Sequence, residues 1–136
     1  MDSSSEGKCF AEVINSGNLK LGNIILYKNQ SYSGNYKILE NNGTLAVQGA
    51  NIDGYIINNE NATVNMNDGL ISAVPYGIQN MGELNVTGGK IEAKTNHINY
   101  GVYNQRGNLN VTGGVIEAKY SIYNDSGKVV IKDGIL

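Results

Sequence analysis

Two glutamates stand in the same local text. Ile91-Glu92-Ala93 recurs as Ile116-Glu117-Ala118, so Glu92 and Glu117 are the residues whose type and spacing best suit chemistry. Two carboxylates at a fixed separation are what a glycoside hydrolase needs. Ca²⁺-dependent lyases need several carboxylates around one hard cation. A like-charge pair also raises the pKa of one member, which suits a general acid. Lys90 and Lys94 lie close by in sequence and would neutralise such a pair. The remaining reactive residues are isolated. His97 is the only histidine, Arg106 the only arginine and Cys9 the only cysteine. His97 has no assignable Ser-Asp or Cys partner, Arg106 reads as a surface turn residue, and one cysteine excludes an internal disulfide and a cysteine zinc site. No Gly-Gly-x-Gly-x-Asp calcium motif occurs, and Gly113-Gly114-Val115-Ile116 lacks dinucleotide spacing. The expectation is therefore no metal and no cofactor.

The nine tyrosines form the second chemically distinctive set. Tyr27, Tyr32 and Tyr36 lie in one long insertion. Tyr55, Tyr76, Tyr100 and Tyr120 precede a short apolar segment, Tyr103 and Tyr123 lie within it at its outward, solvent-exposed position, and on a stacked coil all nine are expected at one corner and the adjoining face. Tyrosine has an apolar face and a polar tip, which suits docking of a sugar ring or a protein. Stacked tyrosines also stabilise adjacent strands, by about 0.2–1 kcal/mol per pair.

The elements that must position these side chains come from a repeat. Residues 77–93 read GIQNMGELNVTGGKIEA and residues 101–118 read GVYNQRGNLNVTGGVIEA. Weaker copies begin their Gly-x-aliphatic-x-aliphatic core at Gly17, Gly43, Ala62 and Gly127. With Gly82 and Gly107, the anchors are spaced by 26, 19, 20, 25 and 20 residues. Each copy holds short alternating segments, the mark of half-buried strands. Such a unit cannot bury its apolar face alone and must stack on its neighbours. Stacking in register predicts four aliphatic ladders. They are Leu19/Leu45/Val64/Leu84/Leu109/Val129, Leu21/Val47/Met66/Val86/Val111/Ile131, Ile52/Ile71/Ile91/Ile116/Ile135 and Val13/Leu39/Ile57/Ile78/Val102/Ile122. An asparagine column, Asn15/Asn41/Asn59/Asn80/Asn104/Asn124, is expected to hydrogen-bond from amide to amide. The outward column beside the third ladder is Asp53, Ser72, Glu92 and Glu117. The sequons at Asn85 and Asn110 fall inside strands and read as by-products of the repeat.

Composition supports this. Gly contributes 18 residues and Asn 21, both tolerant of left-handed backbone, while Pro occurs once. The formal charge is −2 with no basic run, which argues against a nucleic-acid partner. No apolar run approaches the ~18 residues of a membrane-spanning helix, so no membrane insertion is expected.

The frame resembles the right-handed parallel β-helix of pectate-lyase-like proteins, and more closely the Gly-Asn-rich repeats of Gram-positive bacterial cell-surface proteins. The likeness runs over about residues 13–136. It implies an all-β solenoid of about six coils and ~29 Å length, preceded by a cap or disordered segment over residues 1–12. It also implies a fragment of a longer repeat protein, an extracellular or cell-surface location, and a non-catalytic spacer or adhesive role. The expected partner is a glycan or a host or cell-surface protein, met by Tyr55, Tyr76, Tyr100, Tyr103, Tyr120 and Tyr123. End-to-end self-association through an uncapped C-terminal coil is a further expectation. The alternative is a polysaccharide lyase or glycoside hydrolase fragment using Glu92 and Glu117.

Overall fold

The computed structural model describes residues 8–9, 12–27, 37–93 and 98–136. The described residues are all-β, with no helix. Fifteen strands follow in order: β1 (Lys8–Cys9), β2 (Val13–Asn15), β3 (Asn18–Leu21), β4 (Ile25–Tyr27), β5 (Lys37–Asn41), β6 (Thr44–Asp53), β7 (Tyr55–Asn58), β8 (Thr63–Ala73), β9 (Tyr76–Asn80), β10 (Glu83–Val86), β11 (Lys90–Ala93), β12 (Tyr100–Gln105), β13 (Asn108–Glu117), β14 (Tyr120–Asp125) and β15 (Lys128–Ile135). Every pairing among them is parallel. The smaller sheet runs β14-β12-β9-β7-β5-β2, and the other nine strands form the larger sheet. Each repeat contributes to both sheets and pairs with the repeat before and after it, which makes six layers.

Parallel strands in register put like residues side by side. The first ladder is observed as predicted, through Leu19↔Leu45↔Val64↔Leu84↔Leu109↔Val129. The second follows it two residues on, through Leu21↔Val47↔Met66↔Val86↔Val111↔Ile131. Leu84 and Leu109 are fully buried. Period-2 alternation with one face buried specifies this register strongly, because a slip of one residue would turn every ladder member outward. The segments expected to be separate are fused in β6, β8 and β13, which cross the turn through bulges.

Three expected positions are corrected by the pairing. In the fourth ladder the buried member is Ile56, paired with Leu39 and Ile78, and not Ile57, which pairs with Glu40 and Gln79. The asparagine column passes through Asn58 and not Asn59. The turn after Asn58 is longer, with Asn61 in the left-handed region (φ 65°), and it carries Asn59 out to bond Glu40 and Asn42. In the third ladder Ile135 pairs with Val115 rather than Ile116, and its side chain is 68% exposed. The two register shifts between β13 and β15 cancel, so Ile135 keeps the 20-residue offset of Leu109↔Val129 and falls one position before the ladder. The same ladder gains Leu26, paired with Ile52 and buried.

The asparagine column carries the turns. Asn15, Asn41, Asn58, Asn80 and Asn104 each donate from Nδ2 to the Oδ1 of the next asparagine, at 2.8–2.9 Å. Each also donates to a carbonyl of its own turn and to a strand carbonyl of the next layer, as Asn80 does to Gly82 and Asn108. Asn41, Asn58, Asn80 and Asn104 are fully buried, so these bonds replace lost hydration at the corner.

The anchor glycines show where close approach is required. A Cβ on Gly43 would strike the carbonyl of Gly17 in the layer below, whereas one on Gly17 meets nothing within 4 Å. Gly17→Ala is therefore expected to leave stability within about 0.5 kcal/mol of the parent. Gly43→Ala is expected to cost about 1–3 kcal/mol through backbone displacement. Urea denaturation of the two variants measures both, and equal losses would contradict the close stacking of the first two layers.

Candidate functional site

The smaller sheet presents the tyrosines. Each of β7, β9, β12 and β14 opens on one: Tyr55, Tyr76, Tyr100 and Tyr120. In β12 and β14 a second follows three residues later, Tyr103 and Tyr123. Strict alternation would send residues three apart to opposite faces. In β12 the alternation is broken instead, with Gly101 and Val102 buried in succession. Gly101 turns inward against the Ile116 side chain, leaving no room for a Cβ, and Val102 also points inward. Gly77 is seated in the same way against Ile91. The Tyr-Gly dipeptide thus brings Tyr100 to the same outer surface as Tyr103.

Five rings form one continuous cluster. Centroids lie 5.9 Å apart for Tyr76 and Tyr103, 6.0 Å for Tyr100 and Tyr103, 5.4 Å for Tyr103 and Tyr123, 4.9 Å for Tyr100 and Tyr123, and 5.8 Å for Tyr100 and Tyr120. Their planes are inclined by 26–35°. Tyr55 closes on Tyr76 edge-on, at 5.1 Å and 71°. Rings inclined this little turn their faces toward one another, so the inner rings present mainly edges and hydroxyls. Among the described residues, Tyr120 and Tyr123, at 49% and 45% exposure, are the tyrosines most open to solvent, and Lys119 Nζ lies 5.9 Å from the Tyr120 ring. Tyr103, expected to be open like Tyr123, is only partly exposed.

Hydrogen bonds tie the cluster to neighbouring layers. The Tyr76 hydroxyl donates to Gln79 Oε1 at 3.1 Å, and Gln79 Nε2 donates to Gln105 Oε1 at 2.8 Å. The Tyr103 hydroxyl lies 3.5 Å from Asp125 Oδ2. Loss of hydration, followed by the Asp125 charge, pushes the Tyr103 phenol above its ordinary value. Burial pushes Tyr76 up in the same direction. Both phenols stay protonated donors at neutral pH.

Among the described residues Tyr27 has no ring contact with this cluster, contrary to the expectation of one shared corner. It pairs with Asp53 and heads the acidic column of the larger sheet. Tyr32, Tyr36, Lys94 and His97 lie outside the described residues.

The acidic column forms as expected, in the register Asp53↔Ser72↔Glu92↔Glu117. Lys90 lies between the two glutamates, with its Nζ 3.1 Å from Glu92 Oε2 and 3.0 Å from Glu117 Oε2. Those two bonds, Glu117's first, hold the Lys90 ammonium above its usual range. One ammonium thus bridges both carboxylates of the candidate pair. Among the described residues, no group of three or more His, Cys, Asp or Glu side chains is placed to hold a metal ion. Among the described residues, no helix is long and apolar enough to cross a membrane.

One feature escaped the sequence reading. A groove of about 520 Å³ crosses three successive turns and is lined by Glu60, Asn61, Met81, Glu83, Arg106 and Asn108, among others. Arg106 adopts a left-handed backbone (φ 65°) as the extra residue of its turn. That extra residue was visible in the alignment of the two best copies; the groove needed three turns of unequal length side by side.

A scan against protein-family models finds no match, and searches of curated proteins and of solved structures find none either.

Proposed function

We propose that the chain is a right-handed parallel β-helix, of the pectate-lyase-like kind found in Gram-positive cell-surface repeats. In this reading it serves outside the cell or on its surface as a non-catalytic spacer and adhesive scaffold, and its partner is a glycan or a surface protein. The observation that carries the reading is the tyrosine cluster. The ladders bury most of the aliphatic side chains, and the cluster stands out as an amphipathic, partly exposed surface. The inner rings, Tyr76, Tyr100 and Tyr103, stiffen the stack. The outer rings, Tyr120 and Tyr123, with Lys119 beside them, offer the face that meets a partner. A single aromatic contact is worth only about 0.5–1.5 kcal/mol beyond its buried area, so useful affinity takes several rings acting together.

The double change Tyr120→Ser with Tyr123→Ser is expected to abolish retention on glycan arrays or on a surface-protein partner. The melting temperature should move by only a few degrees, because both rings are half in water. Tyr100→Ser, which removes three ring contacts, should lower the melting temperature more than either outer change alone. A parent protein with no retention on any such surface would sink the adhesive role. Release of reducing or unsaturated ends from a glycan, lost in Glu117→Gln, would replace it by the enzymatic one.

A further inference from the structure

The turns that lead from the smaller sheet to the larger differ in length in the middle of the stack. Ala62 follows Asn58 by four residues, Gly82 follows Asn80 by two, and Gly107 follows Asn104 by three. Asn61 and Arg106, both left-handed at φ 65°, stand just before the anchor in the two longer turns. The short turn between β9 and β10 is therefore recessed between its neighbours. Those neighbours stand two layers apart, about 10 Å, which leaves a gap about one layer wide. This gap is the groove of about 520 Å³, within the ~300–1,000 Å³ usual for small-ligand sites. It belongs to the third, fourth and fifth layers, each paired on both sides.

The groove carries charge of both signs. Glu60 and Glu83 offer carboxylates, Arg106 a guanidinium, and Asn61 and Asn108 amides. Among the described residues the ion pairs all run through Lys37 or Lys90, so none joins Arg106 to either glutamate. Glu83 is steadied by Asn85, whose Nδ2 donates to its Oε1 at 3.0 Å. The main chain of the recessed turn is already spent. The Met81 N–H donates to the Asn58 carbonyl and the Glu83 N–H to that of Ala62, while the Gly82 carbonyl accepts from the Asn108 N–H and from Asn80 Nδ2. A peptide strand, which binds by main-chain pairing, finds these groups taken. Recognition falls to the side chains. A carboxylate only accepts, a guanidinium only donates, and a hydroxyl does both. A formal charge of either sign meets at least one like charge in the groove, whereas an uncharged polyol meets none. Met81, half-buried in the short turn, adds an apolar patch for the C–H face of a ring.

We propose that this groove is a binding site for a neutral oligosaccharide, whose adjacent hydroxyls donate to Glu60 and Glu83 and accept from Arg106. It lies past the ends of the strands whose starts carry Tyr55, Tyr76 and Tyr100, so it is separate from the tyrosine surface and does not depend on it.

The test is isothermal titration calorimetry of the 136-residue chain with maltotriose, cellotriose and triacetylchitotriose, and with trigalacturonate and trimeric glucosamine as charged counterparts. Saturable binding of at least one neutral trisaccharide is expected. It should be the same at low and high salt, because the ligand carries no charge to be screened. Arg106→Asn and Glu60→Gln should each weaken it about tenfold, the worth of one or two net hydrogen bonds. Both side chains are exposed and asparagine tolerates the left-handed backbone at 106, so both variants should keep the circular dichroism and melting temperature of the parent. Arg106→Lys keeps the charge but loses the fork of donors, and it should weaken binding as well. Tyr120→Ser with Tyr123→Ser should leave binding unchanged. The proposal is overturned if no neutral trisaccharide saturates, or if a charged one binds more tightly and is released by salt. Binding that survives the groove variants overturns it too, and loss in the tyrosine double variant alone would assign the sugar to the tyrosine surface.

Discussion

Asn80→Ala is expected to destabilise the fold by about 3 kcal/mol or more. Asn80 is fully buried and stands in the middle of the column. It accepts from Asn58 Nδ2 and donates to Asn104 Oδ1, the Gly82 carbonyl and the Asn108 carbonyl. Alanine removes all four bonds and leaves their partners facing a small void. Each buried polar group so stranded costs about 1–3 kcal/mol. Asn58 Nδ2 keeps two other acceptors, at Ala62 and Glu83, which limits the total. Against the ~5–15 kcal/mol that stabilises an ordinary domain, a loss of this size is severe. Guanidinium denaturation should show it as a large fall in midpoint. The same substitution at exposed Asn124 should cost about 0.5 kcal/mol. If the two variants unfold together, the column carries no stability.

Leu84→Ala is expected to cost about 2–5 kcal/mol, the range for a buried leucine whose cavity cannot collapse. Leu84 is fully buried between Val64 and Leu109, in layers held by main-chain pairing on both sides. Little can move in to fill the space. Val129→Ala, in the same ladder but half-buried, should cost about 1 kcal/mol. Position also matters to cooperativity. Stability in a stack of repeats is roughly a sum of nearest-neighbour terms, so a weak interface in the fourth layer divides the array near its middle. The Leu84 variant should therefore broaden the denaturation transition as well as shift it, whereas the Val129 variant should only shift it slightly. A sharp, unshifted transition for Leu84→Ala would contradict the packed ladder.

The repeat and most of its register were legible in the sequence. Alternation is a local property, and the Gly-x-Leu-Asn-Val-Thr-Gly-Gly text of the fourth and fifth copies leaves one way to turn the leucine and valine inward. Weaker copies then align to it, which placed the first two ladders, the acidic column and the tyrosine strands correctly. Where a copy offered two adjacent candidates, local reading had no means of choosing. Ile56-Ile57 and Asn58-Asn59 are such pairs. The choice fell to partners some 20 residues away, Leu39 and Ile78 for Ile56, and Asn41 and Asn80 for Asn58. Ile135 was misplaced although the last repeat carries the mark: six residues separate Val129 from Ile135, against seven from Leu84 to Ile91 and from Leu109 to Ile116, so Ile135 falls at the Val115 position.

What the side chains can do was decided only in three dimensions. Sequence put Lys90, Glu92 and Glu117 near one another, but cross-layer register set the ammonium between the two carboxylates. Sequence put all nine tyrosines at one corner and its adjoining face, but pairing sets Tyr27 beside Asp53 on the larger sheet, and the packing of adjacent layers inclines the clustered rings by about 30° and turns their faces together. The groove beside Arg106 exists only where three turns of different length meet. A period of two residues is written along the chain, whereas ring angles, ion-pair partners and grooves are set between layers 20 or more residues apart, and they follow from how those layers stack.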